Sequence, residues 1–281
     1  HTSRVIMSER AAYLGPPGTF TEQAVHQYNP QADLQPFPSI HGVALAVASG
    51  IAEEGVVPIE NSLEGPVTDT LDILIRQAGL FIHRELVLHI EHCLLAISNT
   101  TTSDIQVIYS HPQALGQCRE FLERCFPEAQ LVASLSTAAA VGDMKESRFP
   151  AAAVAPHRAA QLNNVTVLAQ GIQDNSSNVT RFVVLSDSDN PPTGTDKTSL
   201  CFSFADDKPG LLHTVLGEFA RRNINLAKVE SRPSKQFLGD YIFLIDIHGH
   251  REDPDVKEAV QALRNQSSML KIFGSYPRWN E

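Results

Sequence analysis

Hydrophobic and polar positions follow two rhythms along this 281-residue chain. From residue 11 to about 185, short apolar runs alternate with stretches of helical spacing. Ala11–Leu14, Gly55–Ile59, Val107–Tyr109, Leu131–Ala133, Ala151–Ala155 and Val179–Leu185 read as strands. Between them, Thr19–Tyr28, Val43–Ser49, Val67–Gln77, Ala114–Phe126 and Thr137–Met144 have apolar residues on one helical face. Such alternation predicts a largely parallel sheet with helices on both faces. The period changes over Phe81–Ile97, which is long, β-rich and partly alternating. It predicts a crossover into a second lobe inserted in the first, with a return near residue 175 and a ligand cleft at the strand-to-helix loops.

A polar, turn-rich run, Ser186-Asp-Ser-Asp-Asn-Pro-Pro-Thr-Gly-Thr-Asp196, then reads as a linker. Beyond it the order is strand (Leu200–Phe204), helix (Leu211–Arg221), strand (Asn225–Ser231), strand (Tyr241–Ile247), helix (Asp255–Arg264) and strand (Leu270–Phe273). That βαββαβ order is the ferredoxin-like unit. The fold class expected is therefore α/β: a two-lobed domain resembling periplasmic binding proteins over 9–186, then a ferredoxin-like domain over 197–276. Lobe one takes about 9–82 and 174–186, and lobe two about 83–173.

Composition narrows the function classes. Hydrophobic residues make up 42% and charged residues 19%, which is globular rather than disordered. Asp and Glu number 32 against 22 Lys and Arg, for a net charge of −10. Neither nucleic acid nor an anionic membrane is attracted to such a chain, so any anion must be held by local devices. No apolar run approaches the ~20 residues of a membrane span, and no export signal is evident. Four cysteines without a CxxC pair read as reduced thiols, and the chain as cytoplasmic. Cys118 and Cys125 fall seven apart on one expected helix face.

Four strand-to-helix loops carry the candidate chemistry: Gly15–Thr21, Ile59–Pro66, Ser110–Gln117 and Ser134–Ala140. Each offers free backbone N–H groups and small polar side chains at a helix N-terminus, which serves an ordinary cap or an anion equally well. Gly15-Pro-Pro-Gly-Thr is neither a P-loop nor a GxGxxG turn. Arg181 enters an apolar strand after Asn178-Val-Thr180, so it pairs either with a substrate carboxylate or in a structural ion pair. His89-x-x-His92 and His248-x-His250 lack a ligand set for a metal and read as solvated or core histidines. No GxSxG elbow is present.

Together these motifs resemble one family. Gly15-Pro-Pro-Gly-Thr-Phe20, Pro58-Ile-Glu-Asn-Ser62, Ser110-His-Pro-Gln-Ala114, Ser136-Thr-Ala-Ala-Ala140 and Asn178-Val-Thr-Arg-Phe182 stand in the order and spacing of prephenate dehydratases that carry an ACT domain. The resemblance runs from Ala11 to about Ser275. It implies conversion of prephenate to phenylpyruvate with loss of CO2 and water, without metal or other cofactor. No room precedes Ala11 for a chorismate mutase domain, so a monofunctional enzyme is expected. Arogenate dehydratase and a non-enzymatic sensor of small anions are the alternatives. By resemblance Thr180 sits at the reacting centre as a hydrogen-bond donor, with Glu60, Asn61, Ser110 and Gln117 around it and Glu60 as general acid. Thr19, Phe20, Ser62, Thr137, Arg181 and Phe182 would bind substrate. The ACT domain is expected to bind L-phenylalanine as feedback inhibitor through Asp206, Pro209, Gly210, Leu211, Leu212, Glu230, Ser231 and Arg232. The family's Gly-Ala-Leu-Val stretch appears here as Gly210-Leu-Leu-His213. ACT pairing implies a homodimer or homotetramer.

Overall fold

The computed structural model describes residues 9–206, 208–234 and 240–279; Asp207 of the expected effector loop lies outside them. In chain order the elements begin with β1 (Arg10–Leu14), α1 (Phe20–Tyr28), β2 (Asp33–Phe37), α2 (Ile40–Ala48), β3 (Glu54–Asn61), β4 (Gly65–Pro66), α3 (Thr68–Arg76) and β5 (Phe81–His89). Then come β6 (Cys93–Ala96), β7 (Val107–Ser110), α4 (Pro112–Gln117), α5 (Arg119–Cys125), β8 (Gln130–Ala133), α6 (Thr137–Glu146), β9 (Ala151–Ala155), α7 (His157–Asn163), β10 (Thr166–Gln170) and β11 (Val179–Ser186). The C-terminal part has β12 (Asp196–Ser203), α8 (Leu211–Ala220), β13 (Leu226–Pro233), β14 (Tyr241–His248), α9 (Pro254–Gln266) and β15 (Met269–Pro277). Among the described residues no helix is long and apolar enough to cross a membrane.

Three sheets organise these elements: β2-β1-β3-β11-β5 with β4 on β3, β10-β6-β9-β7-β8, and β13-β14-β12-β15. By compactness the chain divides into two units, residues 1–43, 56–67 and 87–182 in one, and 44–55, 68–86 and 183–281 in the other. In the first unit, the five-stranded sheet is centred on β9, whose five residues are all buried. Strand alternation sends Ala151, Ala153 and Ala155 into a core with Val141 and Met144 of α6. Ala152 and Val154 enter another with Ala114, Cys118 and Leu122. Burial on both faces explains why this strand reads as continuously apolar.

The sheet is mixed rather than largely parallel. β7 runs parallel to β8 and β9, but β6 is antiparallel to β9 and β10. The long β-rich stretch forms two strands, β5 and β6. Between them the Ile90 amide donates to Asn178 O (2.8 Å) and the His92 amide to Gln173 Oε1 (2.9 Å). These two bonds tie the segment between β5 and β6 to the chain that leads into β11. The helix expected over 114–126 is likewise broken, at Cys118 (φ −114°, ψ 19°). The Gln117 carbonyl accepts from the Asp174 amide (2.7 Å), and Asp174 Oδ1 accepts from the Glu120 amide (3.1 Å). The returning segment thus takes over groups that a continuous helix would use. Cys118 is consequently buried and Cys125 exposed, not partners on one face.

The second unit contains the βαββαβ part. Its strand order is the antiparallel ferredoxin-like one, and Leu200 and Phe202 of β12 pack against Val215 and Phe219 of α8 and Val256 and Leu263 of α9. The 186–196 segment is not a free linker. Asp189 Oδ2 accepts from the Ser275 amide (2.9 Å), Asn190 N donates to Ser275 O (3.1 Å), and Asp196 already belongs to β12. Its polar side chains satisfy backbone groups of β15, which a composition-based reading takes for solvation.

Candidate active site

In the first unit a cavity of about 340 Å³ is lined by parts of all four polar loops. Thr19, Phe20 and Thr21 come from the start of α1, Asn61 from the end of β3, and Thr180 from β11. His111, Gln113 and Gln117 belong to α4 and its cap, and Ser136 and Thr137 to the start of α6. Each helix starts here for a local reason. Thr19 Oγ1 accepts from the Glu22 amide (3.4 Å), and Ser136 Oγ from the Ala139 amide (2.9 Å). His111 Nδ1 accepts from Gln113 N (3.3 Å), with Pro112 in the first turn. The N-termini of α1 and α6 therefore give the cavity a local positive character, although no Lys or Arg is among its lining residues.

At the centre lies an amide–hydroxyl pair. Asn61 Nδ2 donates to Thr180 Oγ1 (2.8 Å) and to Asn178 Oδ1 (2.9 Å). Asn61 Oδ1 accepts from the Leu63 and Glu64 amides (2.9 and 3.2 Å), which pins the side chain within its own turn. Thr180 is 9% exposed, and its hydroxyl accepts rather than donates in this pair, so its proton stays available. β11 is held here by a reciprocal contact: the Ser62 amide donates to Val179 O (2.9 Å) and the Val179 amide to Ser62 Oγ (3.0 Å).

A second network reaches the cavity from the segment between β5 and β6. His92, 2% exposed, has Nε2 2.8 Å from Gln117 Oε1 and packs edge-on against Phe20 with ring centroids 5.3 Å apart. Gln117 Nε2 donates to Glu64 Oε1 (3.2 Å), which also accepts from Gln113 Nε2. Burial pushes the His92 imidazole below its ordinary value of 6.5, and the bond to Gln117 only partly opposes this.

Of the residues singled out in the sequence, Thr180, Asn61, Gln117, Thr19, Phe20 and Thr137 line this cavity. Others do not. Arg181 and Phe182 are buried, and neither is among the lining residues. Successive side chains of a strand point to opposite faces, so a lining Thr180 turns Arg181 away. Glu60, next to Asn61 and half-buried, is absent from the lining for the same reason. Ser110 is fully buried and donates to Val154 O (2.7 Å), tying β7 to β9. Ser62 serves the backbone contact just described. The sequence reading gave no site role to His92, His111, Gln113, Ser136 or Asn178; it took His92, in His89-x-x-His92, for a solvated or core histidine.

The eight expected effector residues belong to the second unit. Gly210 starts α8 at φ +88°, a left-handed conformation that favours glycine. Leu212 packs on the ferredoxin-like core, and Asp206, Pro209 and Ser231 are exposed. Arg232 lines a cavity of about 490 Å³, where its Nη2 contacts Asp72 Oδ1 of α3 at 2.5 Å. Among the described residues no group of three or more His, Cys, Asp or Glu is placed to hold a metal.

The prephenate dehydratase family model matches residues 11–190, and the ACT domain model residues 201–265. The bifunctional chorismate mutase/prephenate dehydratase of Aquifex aeolicus is 40% identical over 270 residues, covering 96% of this chain and 74% of that protein. The crystal structure of prephenate dehydratase in complex with L-Phe from Arthrobacter aurescens is 38% identical with a TM-score of 0.86, over 96% of this chain and 90% of that one. A similar likeness, TM-score 0.87 and 33% identity over 96% and 98% of the two chains, is to GqqA, described as a novel type of quorum quenching acylase.

Proposed function

The chain belongs to the prephenate dehydratase family and carries an ACT domain after the catalytic region, and from that premise we propose how its cavity performs the reaction. The ring carboxylate of prephenate leaves as CO2, its bonding pair enters the ring, and the ring hydroxyl on the opposite carbon departs, becoming water on gaining a proton. Aromatisation drives both cleavages. The protein has to hold a dianion in register and favour the departing oxygen. The starts of α1 and α6, through Thr19, Phe20 and Thr137, hold the carboxylates in place of the arginine the sequence suggested. Thr180 donates its hydroxyl proton as a hydrogen bond to the departing oxygen, while Asn61 donates to Thr180 and polarises that hydroxyl. The 2.8 Å Asn61–Thr180 contact is the observation that carries this reading.

Residues 9–186 form the catalytic part and 197–276 the regulatory part in this proposal. L-Phenylalanine acts as feedback inhibitor at the ACT domain, through the Gly210 loop and Glu230–Arg232, between domains paired in a homodimer or homotetramer. The Arthrobacter aurescens relative, a complex with L-Phe, supports this choice of ligand. Coupling of this kind is usually ~1–3 kcal/mol.

The deciding assay is prephenate-dependent phenylpyruvate formation with and without L-phenylalanine, run beside arogenate. A higher kcat/KM on arogenate moves the assignment to arogenate dehydratase. Glu60→Gln run in parallel reads the general acid: a loss of ~10²–10⁴ in kcat assigns that role to Glu60, and a smaller one leaves the departing oxygen to Thr180. The likeness to GqqA favours one second reading, an acylase, tested by incubation with an acylated quorum signal.

A further inference from the structure

The bonds around Gln117 have a fixed direction. Glu64 as a carboxylate offers acceptors only, so the Gln117 end facing it is the NH2, and the end facing His92 is the carbonyl oxygen. His92 must therefore carry its hydrogen on Nε2. With the imidazole neutral, as its burial favours, Nδ1 is a bare acceptor, buried and without a partner among the described residues. Turning the Gln117 carboxamide over would set N–H against N–H at His92 and oxygen against oxygen at Glu64. One N–H of Gln117 is engaged by Glu64, and the other has no partner among the described residues.

We propose that His92 is a positioning residue that, as the neutral Nε2–H tautomer, holds the Gln117 carboxamide so that it offers an N–H, and not its oxygen, to an anionic substrate. The neutral imidazole set deep beside Phe20 is thereby part of substrate selection by orienting Gln117. Without His92 the carboxamide is free to rotate, and its oxygen repels a carboxylate in a cavity that has no Lys or Arg among its lining residues. The inference rests on the dehydratase reading only in naming the anion as prephenate.

Two measurements test it. The first uses no substrate: ¹⁵N NMR of histidine-labelled protein at neutral pH is expected to show His92 as the Nε2–H tautomer, told apart from buried His250, whose Nε2 also faces a carbonyl, by a signal that is lost in H92F and shifted in Q117A. An Nδ1–H tautomer for that histidine overturns the proposal whatever the enzyme's activity. The second is kinetic. H92F keeps the ring and loses the donor, and is expected to raise KM for prephenate about tenfold with a smaller change in kcat, the worth of one charge-assisted hydrogen bond. H92Q, which carries a donor near the Nε2 position, restores most of that loss. H92F/Q117A is no worse than Q117A. A wild-type KM in H92F, or multiplying losses in the double variant, refutes the positioning role. Absence of any prephenate turnover by the unaltered chain would strike the dehydratase reading and leave the NMR result standing.

Discussion

Asn61→Asp is the sharpest test of the catalytic pair, because the replacement has almost the same shape and reverses one hydrogen bond. Asn61 donates to Thr180 Oγ1 at 2.8 Å and to Asn178 Oδ1 at 2.9 Å. An aspartate keeps the acceptor that holds the Leu63 and Glu64 amides, so the turn survives, and it loses both donations. Asn178 Oδ1 retains Ser62 Oγ at 3.4 Å, and the net loss of folding stability is about 1–2 kcal/mol. The effect on chemistry is larger. Facing a carboxylate, the Thr180 hydroxyl turns its proton toward residue 61, and the departing oxygen loses its donor. Loss of one such preorganised donor is worth ~10²–10³ in kcat, or ~3–4 kcal/mol. Thr180→Ala removes the same donor directly. The assay is phenylpyruvate formation at saturating prephenate for N61D, T180A and N61D/T180A, with unfolding in urea as the check on structure. Both single variants are expected to fall by ~10²–10³, and the double variant by less than ~3-fold further, since both changes remove one interaction. A kcat for N61D near that of the unaltered chain, or losses that multiply in the double variant, would refute the idea that Asn61 works through Thr180.

Other expectations concern stability and reactivity. Native protein treated with a thiol reagent at pH 8 should be labelled at exposed Cys125 alone, because burial pushes the Cys93 and Cys201 thiols up to about 11 and Cys118 up to about 12; labelling at Cys118 in folded protein would contradict this. Gly274→Ala should destabilise the chain by about 3 kcal/mol or more in urea unfolding, since Gly274 has φ +152° and a Cβ there would lie 2.3 Å from Ile82 O. A neutral outcome would mean that β15 does not pass Ile82 so closely. His92 is held neutral below its ordinary 6.5, so under acid the unfolded chain takes up a proton that the folded one refuses. Stability should therefore fall as pH drops below about 6.5 and level off below the depressed native value, at no more than ~1.4 kcal/mol per pH unit. H92F should lose this component, which unfolding at pH 7.5 and 5.5 measures; equal slopes in both proteins would count against a buried neutral imidazole.

Much of this protein was legible from local chemistry. Short apolar runs located β1, β3, β7, β9 and β11 because burial in a sheet demands apolar residues, on both faces in the case of β9. Capped loops pointed to one site for a similar reason: Thr19 and Ser136 satisfy free N–H groups of the helices they start. The βαββαβ order of the C-terminal part followed from the same patterns. Tertiary structure decided what depends on partners far apart in sequence. Asp174 breaks the expected helix at Cys118 by taking the Gln117 carbonyl, and Ser275 turns an apparent linker into packed chain. Register in the sheet decided that Thr180 faces the cavity while Arg181 does not, a choice of face that alternation alone leaves open. His92 shows the limit most clearly. The His89-x-x-His92 spacing marks it only as a residue without a metal-ligand set, and its meaning comes from Gln117 and Phe20, which the fold brings to it. Sequence determines which groups are available and how they repeat; only the folded chain decides which hydrogen bonds use them, because each bond needs a partner whose distance no local pattern records.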